Sequence, residues 1–175
     1  MSLTNAPVLH SDRLILRGPE KSDAEPVIAF LRDPARSAGF GHIPLRGDAW
    51  RWFTMNVGHW HWHGYGYFVI ETTDGETAGI SGIWNPETWP EPELGWVVFD
   101  GFEGRGIAYE AAARARRWAY EELGFTTLTS NIVPSNDRSK ALARRLGAVY
   151  ERTYHNEQMG EDELWRHPGP AEIAA

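Results

Sequence analysis

The stretch Glu93–Tyr120, ELGWVVFDGFEGRGIAYEAAARARRWAY, constrains the fold more than any other part of the chain. Leu94 to Phe99 reads as a strand, Gly101, Gly104 and Gly106 fall in the loop behind it, and a helix opens near Ile107. Glycines just ahead of a helix let the backbone turn tightly while several amide N–H groups stay unpaired. With the positive end of the helix dipole behind them, such donors form an anion site, and phosphate is its usual occupant. Every other segment is read around that unit.

Upstream, Leu14–Arg17 is a short apolar run closed by Gly18-Pro19, a first strand. Ser22-x-x-Glu25 matches a capping box, Pro26 suits a first helical turn, and Val27, Ile28, Phe30 and Leu31 give a helical face that stops before Pro34. Gly39 to Gly47 reads as a loop. Asp48 is placed to cap a second helix carrying Trp50, Trp52, Phe53, Met55, Val57 and Trp60. His59 and His63 near its end share a helical face, one way to hold zinc. No acidic or Cys partner stands at metal-motif spacing, so the expectation is no metal; an aromatic helix end and a cleft wall both remain open. Tyr65–Thr72 and Ala78–Trp84 are strands joined by the hairpin turn Thr73-Asp74-Gly75-Glu76. A proline-punctuated loop, Asn85–Pro92, then carries Trp89 into the central strand.

Downstream, a helix runs from Ile107 to Leu123 and ends at Gly124. Thr126–Val133 is β-branched and strand-like, and a helix from Asp137 to Leu146 stops at Gly147. Two last strands, Val149–His155 and Glu163–His167, flank a turn at Gly160, and the tail from 168 to 175 is expected to fray. The chain therefore predicts about seven strands and about four helices in one domain spanning residues 1–175.

A net charge of −7 argues against a nucleic-acid surface and mildly favours a cationic partner. Cysteine is absent, which excludes disulfides and thiolate nucleophiles. Nine Trp with six Tyr and seven Phe are more than a small core needs, and such a surplus lines a ligand cleft or fills a core. The N-terminal segment lacks a basic and an apolar targeting region, and no run reaches membrane-spanning length. A soluble cytoplasmic protein without membrane partners is the expectation.

Three anion-binding patterns compete for the glycine loop. A P-loop needs a Lys that is missing here. A dinucleotide fingerprint fits Gly104 and Gly106, but Tyr109 stands at its third glycine, and the next acidic residues, Glu121 and Glu122, fall inside the helix. The third is the acyl-CoA loop [QR]-x-x-G-x-[GA], against which the chain offers Glu103-Gly104-Arg105-Gly106-Ile107-Ala108. With RLILRGPEKSDAEPVIAFLRDP near the start and SNIVPSNDRSKALARRLGAVYERT near the end, the chain resembles the GNAT superfamily of acetyl-CoA-dependent N-acyltransferases nearly end to end, and within it the branch of Rim-type ribosomal-protein N-terminal acetyltransferases.

That resemblance implies an α/β (α+β) fold whose twisted, mixed, mostly antiparallel sheet splays at its centre to admit acetyl-CoA. It implies that the backbone of Val97 and Val98 takes the pantetheine amides and that the N–H groups of Gly104, Arg105, Gly106, Ile107, Ala108 and Tyr109 take the pyrophosphate. It also implies that Asn136 bonds the pantetheine region and that Ser139 lies near the thiol. Glu103 departs from the pattern, since a carboxylate beside a pyrophosphate is electrostatically poor. Either Arg105 compensates or the Glu103 side chain turns to solvent.

The reaction implied is acetyl transfer from acetyl-CoA to a primary amine, a small molecule or a protein N-terminus, by direct attack. An amine is mostly protonated at neutral pH, so a base is required. Glu93 is the leading base candidate because strand alternation puts it on one face with Gly95 and Val97; the competing reading is a solvated Glu after Pro90 and Pro92. Many relatives use a Tyr as acid seven residues after the equivalent of Asn136, and Ala143 stands there. Ser139 is the remaining candidate at the thiol. Trp84 and Tyr154 are the expected acceptor contacts, with His155 in reserve. A catalytically silent acyl-CoA-binding module is the alternative, and late-strand pairing into a homodimer is implied by the resemblance alone.

Overall fold

The computed structural model describes residues 1–173. Eight strands form one sheet in the order β1-β2-β3-β4-β5-β6-β8-β7. They are β1 (Leu9–His10), β2 (Leu14–Arg17), β3 (Tyr67–Thr72), β4 (Thr77–Trp84), β5 (Glu93–Val98), β6 (Thr129–Ile132), β7 (Val149–Asn156) and β8 (Gly160–Arg166). The helices are α1 (Ala24–Arg32), α2 (Pro34–Ser37), α3 (Arg46–His63), α4 (Ile107–Glu121), α5 (Asp137–Arg145) and α6 (Pro170–Ile173). The extra strand is the two-residue β1, and the extra helices α2 and α6 are single turns, too short to leave a periodic pattern in the sequence.

Alternation along the strands divides the core. Phe68, Ile70, Ile83 and Leu94 pack on the α4 side with Ala111, Ala115 and Trp118. Tyr67, Val69, Ile80, Trp84 and Val97 pack on the other side with α1 and α3. Period-2 burial in β3 and β5 thus gives each helical layer its own set of contacts.

All neighbouring strands are antiparallel except β5 and β6, which run parallel and share one register pair, Glu93 with Thr129. Beyond that pair they separate, as the resemblance implied. A buried relay pins the apex of the gap. Arg116 Nη1 donates to Leu146 O (2.6 Å) and to His167 Nδ1 (3.2 Å), which leaves His167 Nε2–H to donate to Ser130 Oγ (2.8 Å). Ser130 passes its own proton towards Leu94 O (2.6 Å), across the seam from β6 to β5. Burial, then the Arg116 charge, pushes His167 down to about 3, so the ring is neutral and its tautomer fixed.

Several local expectations are corrected. The expected Ser22/Glu25 capping box is not formed; a single 3-10 turn, Lys21–Asp23, leads into α1, and there Asp23 accepts from Glu20 N–H (2.6 Å). Asp48 does not cap α3, which begins at Arg46; Asp48 pairs with Arg51 instead. Gly160 opens β8 rather than marking the turn. Within the tail from 168, Pro170–Ile173 form α6, where the Glu172 carboxylate accepts from Gly169 N–H (2.7 Å); Ala174 and Ala175 lie outside the described residues. Among the described residues no helix is long and apolar enough to cross a membrane.

Candidate active site

Two hollows meet at the β5–β6 gap. The larger, about 1070 Å³, runs along the outside of the gap between the glycine loop and α5. The smaller, about 280 Å³, lies between β5, β6, the Pro86–Trp89 loop and the Gly39–Ile43 segment. Gly39, Phe40, Trp96, Asn136 and Ser139 line both, so the two form one continuous cleft. Gly39 is required at the junction, because a Cβ there would lie 2.2 Å from Asn136 Nδ2.

The glycine loop is built for exposed amides. Gly101, Gly104 and Gly106 have φ of +83°, +71° and +76°, a region that side-chain-bearing residues adopt only with strain. Gly106 is the N-cap of α4, and the first α4 amide paired along the helix is Glu110 N–H to Gly106 O, so the amides of Ile107, Ala108 and Tyr109 open onto the large hollow. The loop is clamped from behind by Arg13. Its Nη1 donates to Arg105 O (3.0 Å), while its Nε (2.8 Å) and Nη2 (2.7 Å) meet Glu110 Oε2.

Glu103 is compensated by a residue that the sequence did not flag. Arg36 of α2 pairs with the Glu103 carboxylate, with Asp100 (3.2 Å), and through Nη2 with Val98 O (3.0 Å). Backbone hydrogen bonding first, with the Arg36 contact behind it, lowers the Glu103 pKa from the ordinary carboxylate value. Arg105, the compensator expected from sequence, instead lies over the Phe102 ring at 5.4 Å.

Strand alternation also sharpens the assignment on β5. Leu94 O reaches β6, whereas Phe99 N–H reaches Ala78 O on β4 and Val97 O lies against Gly79 of β4. The backbone groups of Leu94, Trp96 and Val98 therefore face the gap. Val97 lines the groove but turns its own peptide groups towards β4, so Trp96 takes the place that sequence reasoning gave to Val97.

Glu93 sits in the smaller hollow, 8% exposed. Its Oε2 accepts from Trp89 Nε1 (2.9 Å), Asn131 Nδ2 (2.6 Å) and Asn131 N–H (3.3 Å); its Oε1 accepts from Tyr67 Oη (3.3 Å). Burial raises its pKa against the pull of these donors. The solvated alternative is thereby removed. Tyr67 reaches Glu93 because Gly95 lacks a side chain: a Cβ there would lie 2.1 Å from Tyr67 Oη.

Trp84 lines the same hollow, among Phe40, Trp52 and Tyr67, with ring centroids 5.2–5.9 Å apart. Behind Trp84, His59 stacks at 4.4 Å. His59 Nδ1 is 2.7 Å from Tyr65 O and its Nε2 accepts from Asn85 N–H (3.0 Å). Both ring nitrogens are thus engaged, and burial pushes the ring down to about 4. His59 holds the wall and offers no nitrogen to a metal. Of the histidine-flanked tryptophans, Trp60 is buried in the core and Trp62 is 85% exposed.

Asn136 caps α5 by accepting from Ser139 N–H (3.1 Å), which fixes both residues where the two hollows join. Ala143 is buried and leaves the family's tyrosine position apolar. Tyr154 is corrected: it lies outside the lining and donates to Asn131 Oδ1 (2.9 Å), orienting the amide that holds Glu93. His155 is exposed.

Asp162, Asn131, Tyr67 and Arg36 went unnoticed in the sequence, whereas Trp89, read there as a residue lining the acceptor mouth, does line the smaller hollow. The signal available was a polar residue inside a strand, where Asn and Asp are depleted; Asn131 in β6 and Asp162 in β8 both break that rule.

The sequence profile of the acetyltransferase (GNAT) domain matches residues 13–149. The chain is similar to an acetyltransferase from Agrobacterium tumefaciens, at 35% identity over 93% of this chain and 95% of that one, with a TM-score of 0.85. A GNAT-family acetyltransferase from Bordetella pertussis superposes at 0.77, with 25% identity over 92% and 99% of the two chains. RimL, a ribosomal L7/L12 alpha-N-protein acetyltransferase in complex with coenzyme A, has the same fold at 0.76, with 17% identity over 94% and 99%. The family model covers most of the chain, and the chain belongs to the GNAT acetyltransferase family.

Proposed function

We propose that the protein transfers the acetyl group of acetyl-CoA to a primary amine held in the smaller hollow, by direct attack in a ternary complex. The observation that carries this reading is the junction: one cleft joins an amide-lined groove to a cavity holding a buried carboxylate. Acetyl-CoA supplies an acyl group already activated as a thioester. The amides of Gly104 through Tyr109 bind its pyrophosphate, the gap-facing backbone of Trp96 and Val98 bonds the pantetheine arm, and Asn136 and Ser139 border the thiol. RimL was solved with coenzyme A, which supports the same cofactor here.

Glu93 receives the proton that the ammonium must lose. Its raised pKa brings it nearer to that of the amine, and the Trp89, Asn131 and Tyr67 donors hold it in one orientation. Ser139, the hydroxyl side chain shared by both hollows, is assigned to the departing sulfur. The chain functions as a single domain, and in a homodimer β7 would be the pairing strand, since it is an edge whose Val149 and Tyr150 are exposed.

A calorimetric titration with acetyl-CoA, followed by thiol release against a panel of amines and N-terminal peptides, tests the reading. Binding with turnover of at least one amine is expected. Binding with no turnover of any amine would instead identify a silent acyl-CoA-binding module.

A further inference from the structure

The smaller hollow holds a second carboxylate that the proposed reaction does not use. Asp162 of β8 lines it, is 2% exposed, and its Oδ1 is buried with no hydrogen-bond partner. A buried carboxylate oxygen without a donor is costly and uncommon in a folded protein. Burial first, then the nearby Glu93 charge, raises Asp162 to about 7. No lysine or arginine lines the cavity, and the lining His42 has its Nδ1 turned to Leu31 O (3.2 Å) and Ser37 Oγ (3.3 Å). The two carboxylates therefore meet no cation of the protein within the cavity.

Counting acceptor sites shows what would complete it. Two carboxylate oxygens take about four donors. Glu93 already takes four, but three crowd onto Oε2, leaving Oε1 with only the long contact from Tyr67. The acceptor positions left without a close donor are thus Glu93 Oε1 and Asp162 Oδ1, on two residues that line a cavity walled by Phe40, Trp52, Trp84 and Trp89. Anionic groups flanked by aromatic faces suit a ligand that is cationic at its ends and apolar between. At about 30 Å³ per water-sized group, the cavity holds roughly nine heavy atoms.

We propose that the acceptor is a compact diamine, with one nitrogen at Glu93 and the other held as an ammonium by Asp162. This rests on the acetyltransferase reading and names its substrate class. The first nitrogen, an ammonium, loses one proton to Glu93 Oε1 and its freed lone pair forms the N–C bond; the C–S bond then breaks, the second N–H proton passes to the departing thiolate to give CoA thiol and the amide, and Glu93 returns its proton to solvent. The second nitrogen keeps its charge throughout. Asp162 is a binding residue and takes no part in the bond changes.

The test is a calorimetric titration of α,ω-diamines with roughly two to five carbons, each against the monoamine of equal length, into the free protein and into the CoA-loaded protein. At least one diamine should bind about tenfold or more tighter than its matched monoamine, and Asp162→Asn should remove that advantage, bringing the diamine to the variant's own monoamine affinity. Equal affinity for every matched pair in the wild type overturns the proposal without any variant, and so does a diamine advantage that survives Asp162→Asn. Acetyl-CoA binding and thiol release are scored separately. An enzyme that acetylates amines with no diamine preference loses this inference alone. A chain that binds no acetyl-CoA loses the earlier reading, and the titration of the free protein still decides this one.

Discussion

In the proposed cofactor groove the groups assigned to binding are mostly backbone amides and carbonyls, whereas in the proposed acceptor cavity they are side chains. In the groove, three positive-φ glycines, the first turn of α4 and one edge of β5 present peptide groups within a single run from Glu93 to Tyr109. In the cavity, Phe40, Trp52, Tyr67, Trp84, Glu93, Asn131 and Asp162 come from seven separate elements and loops. A site made of amides tolerates many side chains provided that the turn residues are right. A site made of side chains depends on each contributor and on what lies behind it. Substitutions should therefore fail differently at the two ends.

The largest effect is expected in the groove from bulk alone. Gly106→Trp places an indole where the helix N-terminus opens and forces a side-chain residue to φ +76°. Acetyl-CoA binding should weaken by more than about a hundredfold, a loss of roughly 3 kcal/mol, in a calorimetric titration. Normal binding would break the comparison, since it would mean that the amides are not the site.

The largest effect in the cavity should come from Glu93→Gln, which keeps shape but removes the proton acceptor. Turnover should fall by about 10²–10⁴ with acetyl-CoA affinity unchanged. A variant with wild-type turnover and pH profile would remove Glu93 as the base.

What the sequence made legible follows the same division. The strand–loop–helix unit, Asn136, Ser139 and the Glu93 face could be read because turn chemistry, capping and alternation are local. Asp162, Asn131 and Tyr67 could not, since Tyr67 reaches Glu93 only because Gly95 lies 28 positions later in the chain (95 − 67) and lacks a side chain. Arg36 was hidden for a similar reason: α2 is one turn long and its partner Glu103 comes from a distant loop. Tyr154 was found but given the wrong task, as its hydroxyl meets Asn131 before it reaches the cavity.

The buried acid of the cavity and the buried histidines behind it should also leave opposite marks on stability. Asp162 titrates near 7 when folded and near its ordinary 3.8 when unfolded, so the folded state binds more protons between these values. Stability from this group therefore falls as pH rises through that window. His167 and His59, at about 3 and 4, run the other way: their contribution is full above about 6.5 and is lost as pH falls towards the folded values. Asp162→Asn should raise the melting temperature above pH 7 by several degrees, on the order of 2 kcal/mol, and the gain should vanish near pH 4. A gain that does not depend on pH would mean that the carboxyl is not the strained group.

A smaller loss is expected from Gly95→Ala. The new methyl pushes Tyr67 off Glu93, which should cost about 1–2 kcal/mol of stability and lower turnover, with acetyl-CoA binding intact. If Tyr67→Phe reproduces the turnover loss without the stability loss, the hydroxyl contact to Glu93 is what matters.

The smallest effect tests a place where the groove depends on a pair of charged side chains. Glu103 puts a negative charge beside the amides that are to hold a pyrophosphate, and Arg36 neutralises it. Glu103→Gln should free Arg36 and tighten acetyl-CoA binding by a few-fold, under about 1 kcal/mol because both groups are partly exposed. Arg36→Ala should weaken binding by a similar factor, since it leaves Glu103 facing the phosphates uncompensated. In the double variant the two changes should not add: with Glu103 neutral, the loss of Arg36 removes only its direct attraction for the cofactor. A coupling near zero would mean that Arg36 and Glu103 act on acetyl-CoA independently, and the groove would then be backbone-determined throughout.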